Sequence, residues 1–221
     1  MKPLISCCFL FFFVSFAWSQ FHFAIIQDPD GYTNVRKAPN SSSEVLVQVF
    51  ENELFVVYDV VEKDWGMVSI FSNPYSMACQ ESSIEGYMHL SRIKKLDDVP
   101  QADKQNFSFD CSLSSFDPFK KRLSKSQEGW IIAINGRPFW GTDGGLPKSQ
   151  VNGISYTING ESFQIPSIFF EDLFEFSERY WAHRQGDTYF VRQMHSDGAG
   201  GYELFWVLNK QGVQQRLIWR P

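Results

Sequence analysis

Cysteine, histidine and excess positive charge are all scarce in this sequence. The 221 residues include 4 Cys and 4 His. Cys7 and Cys8 fall in the first 19 residues, leaving Cys79 and Cys111. Two cysteines without a matching histidine cluster are too few for a structural zinc site. His22, His89, His183 and His195 show no metal-binding spacing, and no His-Glu-x-x-His occurs. There are 20 Lys+Arg against 25 Asp+Glu, a net charge of −5 with no basic run. That balance excludes a general nucleic-acid binder, which needs a cationic face for the phosphates. The chain also lacks a Gly-x-Ser-x-Gly nucleophile elbow and a Gly-rich lysine loop for phosphate. No cofactor, metal site or catalytic residue is predicted. Beyond residue 16, no apolar stretch approaches the roughly 20 residues of a bilayer-spanning helix.

What is present is apolar and aromatic: 43% of residues are hydrophobic and 17% are Phe, Trp or Tyr. This is enough to bury a core, in one or two domains at this length. Residues 1–19 read as a secretory signal peptide. Lys2 gives a positive start, Leu4 to Phe16 is almost wholly apolar, and Ala17-Trp18-Ser19 places small residues before a cut at Gln20. The apolar run is too short for a membrane anchor. The expected location is periplasmic or secreted, with no transmembrane segment in the mature chain. In such an oxidising compartment, Cys79 and Cys111 are candidates for one disulfide, with two free thiols as the alternative.

Residues 22–96 read as short strands separated by turns. The extended segments are His22–Gln27, Asn34–Arg36, Val45–Phe50, Leu54–Asp59, Trp65–Ile70, Gly86–His89 and Ile93–Leu96. Asp28-Pro29-Asp30-Gly31 supplies a proline-preset turn. Short strands without a long amphipathic helix predict a small β-barrel.

Three ordered motifs then resemble the bacterial SH3 (SH3b) family. They are Asn34-Val35-Arg36-Lys37-Ala38-Pro39-Asn40 with Ser43-Glu44-Val45-Leu46; Asp64-Trp65 with Met67-Val68; and Gly86-Tyr87-Met88-His89 with Ser91-Arg92-Ile93. The stretch 72–85 is longer than the family's usual turn. The resemblance implies a barrel of five to seven strands that binds a peptide, cell-wall fragment or envelope protein. Tyr32, Trp65, Tyr75 and Tyr87 lie at or beside turns as candidate aromatic contacts, and Asp28, Asp30 and Glu85 are carboxylates able to meet ligand amines. The competing reading is that Trp65 and Tyr87 complete a small core.

Residues 97–128 read as a partly ordered linker. Its aromatics (Phe107, Phe109, Phe116, Phe119) predict that it docks on a domain. A short helix is expected from Asp117-Pro118 to about Ser126. Its cluster Lys120, Lys121, Arg122 and Lys125 reads as a solvated helix face rather than an anionic-ligand site.

Residues 129–221 read as a second β-rich domain. It should hold a four-strand antiparallel meander over 180–219, an Asn159-Gly160 hairpin, and one short helix opened by Ser167 and carrying Glu171 and Asp172. Two Gly-rich loops, 140–148 and 195–202, bring Asp143, His195, Asp197 and Lys148 into consideration as one site. The competing reading is a pair of hairpin turns. This half resembles an uncharacterised β-rich C-terminal module found beside SH3b domains in Bacteroidota envelope proteins, which carries no known activity.

The expected fold class is therefore mainly β: an SH3-like small barrel plus an antiparallel meander with one short helix. The expected function is non-catalytic binding in the bacterial envelope. The alternative is a cell-wall or peptide hydrolase built around Asp143, His195 and Asp197. A Cys-His wall peptidase, a frequent partner of SH3b domains, would need a helix behind Cys111 that the sequence does not offer. A component of a secretion or toxin–immunity system is a third possibility.

Overall fold

The computed structural model of the chain describes residues 21–62, 64–76 and 82–220, with backbone alone for 59–62. The predicted signal segment and Cys79, hence the predicted disulfide, lie outside the described residues. Strands hold 54% of the described residues, and no helix among them reaches seven residues. The mainly β expectation is met, with several antiparallel sheets.

The first seven strands are β1 (His22–Ile26), β2 (Tyr32–Arg36), β3 (Val45–Phe50), β4 (Phe55–Glu62), β5 (Trp65–Phe71), β6 (Ser83–His89) and β7 (Ile93–Lys95). They form one sheet in the order β3-β2-β6-β5-β4-β1-β7. Their β-branched and aromatic residues alternate across the pleat. Ala24, Ile26, Val35, Val49, Phe55, Val57, Val68, Ile70 and Met88 gather in one core. Phe23, Ile25, Leu54 and Val56 leave by the opposite face.

The second half contains β8 (Phe107–Ser115), β9 (Leu123–Lys125), β10 (Ile131–Ile134), β11 (Ser149–Ile158) and β12 (Glu161–Ile165). It continues with β13 (Trp181–Gln185), β14 (Thr188–His195), β15 (Tyr202–Asn209) and β16 (Gly212–Trp219). The meander is present as the sheet β13-β14-β15-β16. Asn159 and Gly160, with φ of 51° and 83°, make the two-residue turn between β11 and β12. Both central residues need positive φ there, which Asn-Gly supplies.

The stretch read as a linker contributes a full strand. β8 pairs with β11 along its whole length, and its Phe107 and Phe109 are buried. Alternation of Phe107, Phe109 and Cys111 with polar residues is a strand period, which the serine-rich composition conceals.

Two helix expectations are corrected. After Asp117 the chain makes a single 3-10 turn, Pro118–Lys120, with the Asp117 carboxylate accepting from the Phe119 N–H. It then enters β9, because pairing with β10 buries Ile131 and Ile134 and partly buries Leu123. The four basic residues thus sit on a turn and a two-stranded ribbon, not on a helix face. Likewise Ser167–Phe169 is one 3-10 turn, and Pro166 rather than Ser167 occupies the cap position. Continuing that helix would sacrifice extended bonds to the chain at Trp140. The Trp140 N–H donates to the Asp172 carbonyl (2.8 Å) and the Phe174 N–H to the Trp140 carbonyl (3.0 Å).

The two halves share buried structure. Phe23, Ile25, Leu54, Val56, Leu96 and Val99 pack against Phe190, Phe205, Val207 and Leu217 in one apolar cluster. The Phe23 and Phe205 rings lie 3.9 Å apart, centroid to centroid. Gln215 of β16 accepts from the Leu54 N–H at 2.7 Å in the same interior. Arg216 is wholly buried. It donates to the Asp172 carboxylate at 2.8 Å and to the Ser76 carbonyl.

Candidate binding groove

The turn at 28–31, the end of β2, the start of β5 and the end of β6 meet around a groove of about 380 Å³. Asp28 fixes its rim. One carboxylate oxygen accepts from the Thr33 hydroxyl at 2.8 Å. The other accepts from Arg92 at 2.9 Å and from the Asp30 N–H at 3.2 Å. The hydrogen bond from Thr33 leads the effects that hold the Asp28 carboxyl below the ordinary carboxylate range; the Asp30 amide and Arg92 add to it. Arg36 is committed too, donating to the Ser43 carbonyl at 2.7 Å and so holding the 37–44 loop against β2.

Other lining side chains face the groove without such ties. Tyr32 is 40% exposed. Trp65 stands edge-on to His89 at 5.4 Å. His89 Nδ1 accepts from the Ser91 N–H at the start of the following 3-10 turn, which fixes the ring. With Nδ1 as acceptor, the neutral ring carries its proton on Nε2. Asp30 is exposed and makes no ion pair among the described residues. Two aromatic surfaces, a fixed imidazole and an uncommitted carboxylate suit holding an extended ligand with an amine.

Four of the seven candidate contacts, Asp28, Asp30, Tyr32 and Trp65, therefore line one groove. Tyr87 and Glu85 do not line it. Tyr87 is half-buried on β6 between Arg36 and Met67, and Glu85 is exposed opposite Ser69. Tyr75 is committed to packing, 5.1 Å from the Phe169 ring, with its hydroxyl donating to the Val213 carbonyl. His89 was missed by sequence reasoning, although it stands inside a quoted motif; its contact with Trp65 depends on the β5–β6 register, in which the two residues are direct partners.

No family model, curated protein or solved structure matches the chain. Function must be argued from its own residues.

The two Gly-rich loops do meet. The Ser196 hydroxyl donates to the Gly141 carbonyl at 2.9 Å, and Gly200 lies against Gly141 and Thr142. Gly141 has φ of +111°, and a Cβ there would stand 2.1 Å from the Phe174 carbonyl oxygen, so only glycine fits. The junction does not gather the predicted side chains. Asp143, Asp197 and Lys148 are exposed, whereas His195 is 2% exposed and turned inward. Its ring stacks 4.0 Å from Phe176, and Nδ1 accepts from the Ser177 N–H at 2.9 Å. Burial pushes its pKa down from 6.5 to about 3. The buried imidazole and the exposed carboxylates thus do not face one common solvent-lined site. Among the described residues, no three His, Cys, Asp or Glu stand close enough to hold a metal ion.

A larger groove, about 550 Å³, opens between residues 101–108 and 178–183. Its walls are Phe107, Tyr180 and Trp181, and its charged rim is mixed (Lys104, Glu178, Arg179). His183 lines it, but Nδ1 is engaged by the Val99 carbonyl at 2.7 Å. Cys111 lies nearby on β8; burial pushes its thiol up to about 12, which leaves it protonated and a poor nucleophile.

Proposed function

We propose that this protein is an exported, non-catalytic binding protein of the bacterial envelope. In this reading residues 22–96 are an SH3b-like barrel that holds a peptide or cell-wall component, and residues 129–221 are a further binding or scaffolding module. The convergence of Asp30, Tyr32 and Trp65 on one groove carries the reading. It is supported by the three family-like motifs lying in one sheet, where Arg36 faces Tyr87 and Met67 faces Tyr87. Aromatic anchors beside a carboxylate recognise short peptides by stacking and by charge-assisted hydrogen bonds to an amine.

Protein beginning at Gln20, which contains every described residue, should be retained on purified peptidoglycan sacculi at low salt. The double variant Asp30→Asn/Tyr32→Ala should bind at least about tenfold more weakly, with an unchanged melting temperature, because both side chains are exposed. Absence of retention, or equal retention of the variant, would rule this groove out as the wall-binding site.

A further inference from the structure

We propose a second docking surface: the β9–β10 ribbon and the turn before it bind the face of an anionic phospholipid bilayer. One side of the ribbon closes a small core of Phe116, Ile131, Ile134 and Phe174. Large apolar side chains on and beside the ribbon are nevertheless exposed. Phe119, in the turn leading into β9, is 98% exposed; Trp130, at the ribbon's tip, is 56% exposed; Ile132, on β10, is 54% exposed. A ribbon of three or four residues per strand spans roughly 10–13 Å, with Phe119 before its base and Trp130 at its tip.

Trp130 is preorganised. A Cβ on Gly144 would lie 2.4 Å from its ring, which shows the indole lying directly on the Gly144 backbone. The adjacent Ile131 N–H donates to the Gly144 carbonyl at 2.9 Å. One ring face is thus fixed while the rest remains open to solvent.

Charge selects the occupant. Residues 117–130 carry four Lys or Arg against two Asp or Glu, in a chain whose net charge is −5; Arg137, farther along, is paired with Glu171 at 3.3 Å. Lys120, Lys121, Arg122 and Lys125 fall within six residues, immediately beside Phe119. Asp117 meets Lys120 at 3.2 Å in an exposed pair, which leaves the cluster positive. Exposed aromatic and aliphatic side chains interleaved with lysine match a bilayer interface: the rings enter the headgroup region and the ammonium groups stay with the lipid phosphates. A soluble polyanion would use the charges and leave Phe119 and Trp130 in water.

The test uses protein beginning at Gln20, so that the apolar first 19 residues do not contribute. Co-sedimentation should occur with vesicles of phosphatidylcholine containing 30% phosphatidylglycerol and fall sharply with phosphatidylcholine alone. Lys120→Gln/Lys121→Gln/Lys125→Gln should lower partitioning on the order of a hundredfold. Phe119→Ser/Trp130→Ser should lower it at least about tenfold. The blue shift of tryptophan emission on vesicles should shrink in Trp130→Phe. Circular dichroism and melting temperature of each variant confirm that the fold is retained. Equal binding to the two vesicle types, or unaltered binding of either multiple variant, would overturn the proposal. So would binding to soluble heparin that equals vesicle binding and is indifferent to Phe119→Ser/Trp130→Ser.

Discussion

Burial holds His195 as a neutral imidazole, because its charged form would lose its hydration there. Nδ1 accepts the Ser177 N–H, so the proton resides on Nε2, which has no acceptor among the described residues. The unfolded chain takes up a proton near pH 6.5, whereas the folded chain resists until about pH 3. A depressed folded-state pKa contributes stability that is complete above 6.5 and is lost as pH falls through that window. Urea denaturation should show about 2 kcal/mol less stability at pH 5 than at pH 7.5 from this residue. His195→Gln, which keeps an acceptor for Ser177, should flatten that part of the profile; an unchanged slope would assign it to other groups. Asp172 makes a parallel case. The sequence places it on a short helix, yet it is 1% exposed and ion-paired to Arg216. Burial raises its pKa against the pull of the guanidinium. Nothing in the residues around position 172 signals a partner 44 positions away.

Secondary elements were legible where local chemistry decides them. The predicted segment Val45–Phe50 matches β3 to the residue, because β-branched and aromatic runs bounded by turn residues have few alternatives. Both predicted helices failed because their fate was set by distant pairing: Trp140 captures the backbone at 172 and 174, and β10 captures 123–125. The site was legible to the same extent. Asp30, Tyr32 and Trp65 belong to turns and strand ends that the sequence marks, whereas the Trp65–His89 contact and the inward turn of His195 depend on strand register. Gln215 carries the element-scale prediction. Its amide answers both backbone groups of Leu54, accepting at 2.7 Å and donating at 3.4 Å. Gln215→Leu would strand a buried N–H and C=O at the entry to β4, at a cost of about 2–4 kcal/mol by chemical denaturation. Faster hydrogen exchange at the Leu54 amide would identify the cause, and an unaltered rate would refute it.

At the scale of the whole molecule, the apolar cluster joining the first sheet to the meander makes the two halves depend on each other. Phe205→Ala removes a ring that is 1% exposed and touches Phe23. The expected loss is about 3–5 kcal/mol. Amides of β1 and β4 should lose hydrogen-exchange protection together with those of β14 and β15; loss confined to the meander would show that the halves open separately. The reach of β16 also sets an order of events. Gln215 and Arg216 complete contacts begun at residues 54 and 76, separated by 161 and 140 positions respectively. Those contacts cannot close on a nascent chain until translation has passed residue 216, and contacts of such long range slow folding. A growing chain therefore carries an unfinished interior around residues 54 and 76 until β16 has emerged, the interval in which apolar surface needs shielding.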